Sequence, residues 1–225
     1  MAELLLAEQM LLIALDDEQG SSSNSSLPAG LAGALLTDLA REEALRWDGE
    51  ALHPVPVAGL QHPLLSRVHE VIAASSSPRS AKSWVQKLPR SLRPVTETVA
   101  AALVERGVLS EQRYKILGLF PSTRFPETDP EPERLLRTRL HAVLTEGHPP
   151  AEDDALLLGL LVPLGLVDAL VDKTDRPAAR KRAREIADNS VAGSAVGKVV
   201  QEVQAAAMVA VVAGAAGAAA GGAGG

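Results

Sequence analysis

A run of basic side chains between residues 79 and 93 is the feature of this sequence best suited to binding a ligand. Its cations are Arg79, Lys82, Lys87, Arg90 and Arg93, and no acidic residue lies among them. Guanidinium and ammonium groups form charge-assisted hydrogen bonds with phosphate, and clusters of them are attracted to anionic membranes. The run therefore predicts a site for a phosphate head group or a membrane surface. The alternative is a basic face that is only solvated.

A second basic stretch lies near the carboxyl end of the chain, on a predicted helix over residues 177–188. Its cations are Arg176, Arg180, Lys181, Arg182 and Arg184. Like the first run, this stripe is either a solvated surface or a face that meets a membrane or a partner protein.

The sequence contains no recognisable motif of a catalytic or metal site. The five histidines are scattered, and the HExxH pattern that begins at His69-Glu70 is broken by Ala73. Cysteine is absent, which excludes a thiol nucleophile and a zinc–thiolate site. The Asp153-Asp154 pair is predicted to cap a helix N-terminus. We therefore expect a protein without enzymatic activity, with no catalytic residues, no metal and no cofactor.

The amino-acid composition argues against nucleic-acid binding and favours a folded domain. The chain has 225 residues, with 22 Lys and Arg against 28 Asp and Glu, so its formal net charge is −6. An acidic chain lacks the net basic face that general nucleic-acid binders need. Two Trp, two Phe and one Tyr leave little aromatic surface for base stacking. With 46% hydrophobic residues, the chain can form a sizeable core.

Apolar periodicity indicates the elements that must position the basic run. Helices are predicted over residues 4–15, 28–45, 63–74, 80–88, 94–106, 134–145, 155–171, 177–188 and 196–212. One hairpin is predicted at Asp48-Gly49, a dipeptide typical of type I′ turns. A second is predicted from a strand over 113–120, a turn at 121–123 and a partner strand that starts at Arg124. The predicted fold class is mainly α: a single-domain bundle of about eight to ten helices with one or two short β-hairpins.

Two uncharged or nearly uncharged stretches resemble membrane spans, but neither is predicted to be one. Residues 155–171 fall short of the roughly 20 that a span needs, and they contain Asp168. Residues 205–225 are mostly Ala and Gly, so we expect a packed helix to about Val212 and a flexible Gly/Ala tail over 215–225. The N-terminus has no basic segment of the kind that precedes a signal sequence. We expect a cytoplasmic protein.

Five segments in order resemble the Golgi phosphoprotein 3 family, which also has bacterial relatives. They are Leu5–Asp17, Ala29–Ala40 with its Gly-Leu-Ala-Gly, Ser83–Leu88 with Trp84, Ala102–Leu109 followed by Tyr114–Phe120, and Lys181–Ile186. The resemblance extends over about residues 3–214, which defines the predicted domain 1–214. The Ala-, Leu-, Arg- and Pro-rich composition suggests a bacterial member from a genome of high GC content.

The resemblance implies a helical, non-catalytic protein that is peripheral to membranes. Members of the family bind phosphatidylinositol 4-phosphate and, in eukaryotes, the cytoplasmic tails of Golgi glycosyltransferases. Self-association or membrane contact is attributed to the hairpin, here residues 112–123. We therefore expect an anionic lipid or membrane surface as the partner, with no nucleic acid, and a place at the inner face of the membrane.

The family's lipid pocket carries over to only part of this sequence. Its tryptophan position is occupied by Ser23 and its first arginine position by Ala32. Its two arginines three residues apart fall on Arg93 and Thr96. Arg93 is therefore the predicted lipid-binding residue, and the nearby Arg90 is the candidate that could replace a missing arginine.

Two other functions stay open at this point. A cytoplasmic interaction or scaffold protein would keep the fold and lose the lipid pocket. A winged-helix-like DNA-binding regulator is suggested by a helix, Gly107-Val108-Leu109 and a following hairpin, although the preceding helix offers only Arg106 for reading bases.

Overall fold

The computed structural model describes residues 3–16, 20–92, 94–116, 119–189 and 195–221, and every structural statement below concerns these residues. They form nine α-helices and four strands. The helices are α1 Leu6–Ala14, α2 Leu27–Arg41, α3 Pro63–Ala73, α4 Ala81–Ser91, α5 Val95–Glu105, α6 Glu131–Thr145, α7 Glu152–Leu164, α8 Arg176–Asn189 and α9 Ala195–Gly221. The strands are β1 Leu45–Trp47, β2 Leu52–Pro54, β3 Gln112–Ile116 and β4 Phe120–Arg124. The predicted mainly α fold class is confirmed.

Helix α2 lies at the centre of the bundle. Every residue from Gly30 to Ala40 is buried, because α2 contacts α1, α4, α5, α7 and α9 around its circumference. A helix that is apolar on all sides is typical of a core position. Each fully buried leucine, such as Leu31, Leu35 and Leu39, contributes about 1.5–3 kcal/mol.

Two glycines allow the neighbours of α2 to approach it closely. A Cβ on Gly33 would lie 2.8 Å from the Cβ of Ala207 in α9. A Cβ on Gly30 would lie 2.6 Å from Cδ1 of Leu164 in α7. Both distances are far below van der Waals contact, so the Gly-Leu-Ala-Gly segment serves helix packing.

The predicted helix over 155–171 is wrong in its extent. Helix α7 ends at Leu164, and Gly165 adopts a left-handed conformation (φ +71°) at its C-terminus. A separate 3₁₀ helix, Leu166–Leu170, follows. The run is continuously apolar because both pieces are buried, and Gly165 allows the chain to change direction between them.

The first hairpin is confirmed, but its predicted type I′ turn is wrong. Trp47 pairs with Leu52, which leaves a loop of four residues from Asp48 to Ala51. Oδ1 of Asp48 accepts hydrogen bonds from the N–H groups of Glu50 (3.0 Å) and Ala51 (2.9 Å). The aspartate side chain therefore closes this loop by an Asx-type turn.

The second hairpin exists, but the predicted positions of its strand and turn are wrong. Ile116 pairs with Phe120, so the chain reverses between these residues. Pro121, Ser122 and Thr123 were predicted to form the turn and instead belong to β4, where they pair with β3. A two-stranded sheet has an open edge on each strand, and such edges accept a proline, which has no N–H to donate.

Helix α9 extends past Val212, where the sequence predicts its packed part to end, as far as Gly221. Its last buried side chain among those described is Val211. The assignment of residues 215–225 to a flexible tail stays a prediction. Within the described residues, α9 alone is long and apolar enough to cross a membrane, over Val196–Ala213, and 39% of that segment is buried in the bundle.

Candidate anion-binding surface

Helix α4 carries most of the predicted basic run on its outer side and packs its apolar side against the core. Its buried side is formed by Ala81, Trp84, Val85 and Leu88. Lys82 and Arg90 are exposed and Lys87 is half-buried, and at 100° per residue these three lie on the opposite side of the helix. The sequence places the cations on one face because they alternate with the apolar residues at helical spacing. We call Arg79, Lys82, Lys87 and Arg90 the α4 basic face.

The start of α4 is held by the first hairpin and by a serine cap. The Leu52 N–H donates to the carbonyl of Arg79 (2.9 Å), which joins β2 to the residues before α4. Oγ of Ser80 accepts from the Ser83 N–H at the helix N-terminus (3.3 Å). Nε of Arg79 donates to Oγ of Ser75 (3.3 Å). Arg79 is thus anchored through both its backbone and its side chain.

Two cations of the α4 basic face lie over the indole of Trp84. Cζ of Arg79 is 6.0 Å and Nζ of Lys87 is 5.2 Å from the ring centroid. Trp84 is 1% exposed, and Arg79 and Lys87 are both half-buried. The negative face of an indole attracts cations, so Trp84 positions both side chains.

Salt bridges distinguish the α4 basic face from the other basic helices. In the described part of the chain, Arg79, Lys82 and Lys87 form no salt bridge with a carboxylate. In contrast, α8 pairs Arg180 with Asp168 and Lys181 with Glu185. The positive charge of α8 is partly neutralised, whereas Arg79, Lys82 and Lys87 have no such carboxylate among the described residues.

The structure separates the predicted lipid-binding positions. Arg93 lies outside the described residues, and Arg90 is exposed in the last turn of α4. Thr96 is half-buried in the first turn of α5. Ala32 is 0% exposed inside the bundle, so no ligand contacts it. The assignment of Arg93 and Arg90 to lipid binding stays a prediction.

Ser23 lines an open cleft of about 660 Å³ between the end of α1 and the end of α7. The same cleft contains Arg137 of α6, which forms a salt bridge with Glu133 and donates from Nη1 to the carbonyl of Ala169 (2.9 Å). Sequence analysis gave no reason to place Arg137 beside Ser23, because the two residues are brought together by the packing of α6 against α1 and against the 3₁₀ helix.

Buried carboxylates elsewhere serve the fold. Glu8 is 0% exposed and lies 3.1 Å from Nη1 of Arg106 and 3.3 Å from Nε2 of His62. Asp38 accepts hydrogen bonds from the N–H groups of Leu6 (3.0 Å) and Ala7 (3.2 Å), at the start of α1. Burial raises the pKa of Asp38 to about 7, although these backbone donors and Arg41 lower it in part.

One prediction about titratable residues can be compared with the structure. Asp154 caps α7 as expected, because its Oδ2 accepts from the Ala151 N–H (3.0 Å). Across the described ranges, no three His, Asp or Glu side chains come together as a metal site.

The helix before the second hairpin has little resemblance to a DNA-recognition helix. The exposed positions of α5 include Glu97 and Glu105, whose charges repel phosphate. Arg106 is paired with Glu8 and also donates to the carbonyl of Glu3 (3.2 Å). Nothing in this geometry favours the winged-helix alternative.

Comparisons with known proteins agree with the fold and with the five family-like segments found in the sequence. The sequence model of the family Golgi phosphoprotein 3 (GPP34) matches residues 6–203. The chain is also similar to the vacuolar protein sorting-associated protein 74 of Schizosaccharomyces pombe (strain 972 / ATCC 24843). The two are 29% identical over 170 residues, which cover 63% of this chain and 48% of the relative.

The chain thus spans about half the length of that relative. The family match, in contrast, runs from the first residue of α1 through the first third of α9, and so includes α1 to α8, both hairpins and the start of α9. The Gly-Leu-Ala-Gly helix, the Trp84 helix and the second hairpin are all present in the expected order. On this evidence, the chain belongs to the Golgi phosphoprotein 3 family.

Proposed function

We propose that this protein is a non-catalytic, peripheral membrane protein that binds anionic lipid through the α4 basic face. The observation that carries this proposal is a set of cations, Arg79, Lys82 and Lys87, that have no carboxylate partner in the described part of a chain whose net charge is −6. Each Lys or Arg near an anionic leaflet contributes about 1 kcal/mol. The acidic remainder of the molecule is repelled, so the charge pattern orients α4 toward the membrane. The Golgi phosphoprotein 3 family is not a known enzyme family, which agrees with a binding role.

The second hairpin offers an apolar contact with the same membrane. Leu119 at its tip is 76% exposed and Tyr114 is 42% exposed. Arg113, Lys115 and Arg124 are exposed on the two strands, and Cζ of Arg124 lies 5.7 Å from the ring of Tyr114. Apolar and aromatic side chains flanked by cations suit the interface of an anionic membrane. The open edges of β3 and β4 also suit self-association.

The proposed ligand is anionic lipid in general, because the pocket specific to phosphatidylinositol 4-phosphate is incomplete. Only Arg93 matches the family's four pocket positions, with Arg90 as the candidate to assist it. A phosphomonoester carries a charge close to −2 and is best held by several charge-assisted donors. Ser23, Ala32 and Thr96 supply no such charge. We propose that the surface charge of the membrane contributes more to binding than the structure of the head group.

Vesicle flotation tests this function. We expect the protein to float with phosphatidylcholine vesicles that contain phosphatidylglycerol or phosphatidylinositol 4-phosphate, and not with phosphatidylcholine alone. Added salt should weaken binding, because it screens exposed charges. The double variant Lys82→Gln/Arg90→Gln should bind about thirtyfold more weakly, given about 1 kcal/mol per cation.

A matched control removes two exposed cations from α8. The variant Lys181→Gln/Arg184→Gln has the same net charge as the α4 variant, and we expect it to bind nearly as well as the wild type. Equal losses for the two variants would contradict the assignment to α4. Absence of salt-dependent binding to any anionic vesicle would reject the function and favour a scaffold protein that binds another protein.

A further inference from the structure

We propose that Arg79, Trp84 and Lys87 form a phosphate-binding site at the edge of α4. The ligand class is a phosphate group, either the head group of a lipid or free phosphate in solution. This inference deepens the proposed membrane binding and rests on it for the lipid source, since it assigns a defined site within the α4 basic face. We call these three residues the Trp84 clamp.

Two cations without a carboxylate partner among the described residues lie beside one ring, and this arrangement points to an anion. Cζ of Arg79 and Nζ of Lys87 lie 6.0 Å and 5.2 Å from the ring centroid of Trp84. Arg79 precedes Trp84 in the sequence and Lys87 follows it. Both side chains are half-buried, where mutual repulsion of like charges is stronger than in water. The described residues place no carboxylate in a salt bridge with either cation. A phosphate near both would offset their repulsion.

Hydrogen-bond donors in the Trp84 clamp remain available for phosphate oxygens. Arg79 uses Nε for Ser75, and within the described structure its two terminal nitrogens donate to no other group. Nζ of Lys87 likewise donates no hydrogen bond to a described residue. Nε1 of Trp84 is buried and has no acceptor among the described residues. Arginine and lysine donors are the usual means by which proteins hold phosphate.

The site is organised before a ligand arrives. Arg79 is fixed by its bridge to Leu52 and by Ser75, and Trp84 is buried in the core. Lys87 lies against the ring of Trp84 before any ligand binds. Lys82, on the same face but not over the ring, belongs to the α4 basic face without belonging to the Trp84 clamp, and it provides a matched control.

Tryptophan fluorescence and calorimetry test the Trp84 clamp. The chain has two tryptophans, so the variant Trp47→Phe leaves Trp84 as the only one. We expect inorganic phosphate, added at constant ionic strength against chloride, to change the emission of Trp84 in a saturable way and to give a measurable binding heat. Arg79→Gln and Lys87→Gln should each weaken phosphate binding by at least tenfold, and Lys82→Gln should leave it unchanged. Circular dichroism and the unfolding midpoint of each variant verify that it is folded.

The two sources of phosphate are distinguished with vesicles. If the clamp holds a lipid head group, phosphatidic acid in phosphatidylcholine vesicles produces the same emission change, and free phosphate competes with it. A response to free phosphate without vesicle binding supports the clamp as a site for soluble phosphate and rejects the proposed membrane function. Salt-dependent vesicle binding without any phosphate response, or equal losses for Lys82→Gln and Lys87→Gln, overturns the clamp and leaves the membrane function intact.

Discussion

Individual buried charges in this protein are satisfied by partners that are distant in the sequence. Glu8 is fully buried, yet it accepts from the Leu5 N–H (2.9 Å) and pairs with Arg106 and His62. These contacts join the first turn of α1 to the end of α5 and the start of α3. A buried carboxylate without such partners would be strongly unfavourable. Glu8 is therefore a structural residue, even though an acidic side chain in an apolar helix could suggest chemistry.

Because Arg106 pairs with the buried Glu8, replacing Arg106 should destabilise the protein. We expect Arg106→Met to lower the free energy of unfolding by about 3 kcal/mol, because Glu8 would lose its main counter-charge inside the protein. The double variant Glu8→Gln/Arg106→Met should recover part of that loss, since it removes the uncompensated charge. Urea denaturation followed by circular dichroism measures both effects.

A surface pair provides the comparison for this variant. Nε of Arg113 lies 2.5 Å from Oε1 of Glu111, but the Arg113 side chain is 83% exposed. Arg113→Met should change stability by less than about 1 kcal/mol. If Arg106→Met were as mild as Arg113→Met, the Glu8 cluster would not be important for folding.

At the scale of elements, close contact between α2 and α9 explains two small residues of the Gly-Leu-Ala-Gly segment. Gly33 faces Ala207 with no room for a methyl group, and the neighbouring Ala32 is fully buried. Ser26 at the start of α2 also donates from Oγ to the carbonyl of Val211 (3.3 Å). Placing a larger residue in this segment would therefore move α9 away from the core helix.

We expect Gly33→Ala to destabilise the protein by about 1–3 kcal/mol, which is typical of overpacking. The higher helix propensity of alanine, worth about 1 kcal/mol, would offset only part of the loss. The variant Gly33→Ala/Ala207→Gly should restore much of the stability, because it removes the opposing methyl group. Thermal unfolding compares the three proteins.

Gly159 in α7 is the control for this effect. A Cβ there would lie 2.8 Å from the side-chain amide of Gln204, which can move aside. Gly159→Ala should therefore be close to neutral. A loss as large as that of Gly33→Ala would show that any added methyl group in the helices is harmful, and would contradict the specific role of the α2–α9 contact.

For the whole molecule, the distribution of charge decides how stability depends on pH. Burial raises the pKa of Asp38 to about 7, and burial together with a hydrogen bond to Glu127 raises the pKa of Glu133 to about 7. Both groups bind a proton more tightly in the folded protein than in the unfolded chain, so stability decreases as pH rises from about 4 toward 7. Asp48 and Asp168 have lowered pKa values and act below this window, where acid removes their contribution. The combined contribution of these four groups to stability should therefore be greatest near about pH 4.

The variant Asp38→Asn tests this dependence. At pH 5 we expect it to be less stable than the wild type, because the amide nitrogen cannot accept the second backbone hydrogen bond. The difference should become smaller or reverse at pH 8, since the wild type then holds a buried charge that the variant lacks. Urea denaturation at pH 5, 6, 7 and 8 gives the two curves. Parallel curves would mean that Asp38 does not titrate in this range.

Most of the helices could be predicted because each carries its own apolar face, as α3 and α4 show. The predicted secondary structure was wrong where a local sequence pattern is compatible with two structures. Pro121-Ser122-Thr123 is a turn by composition and a strand in the structure, because pairing with β3 decides the matter. The apolar run of residues 155–171 does not reveal its division at Gly165, since both parts are buried.

By itself, the sequence determined the helical class of this protein, its family and the position of the α4 basic face, because periodicity and segment order are local properties of the chain. Only the tertiary structure decided which cations lack carboxylate partners among the described residues, that Arg79 and Lys87 both lie beside the ring of Trp84, and that Ala32 is inaccessible. These properties depend on distances between residues far apart in the sequence, and packing alone sets those distances. For the same reason, the sequence could indicate Arg90 and Arg93 as lipid-binding residues but could not identify the Trp84 clamp.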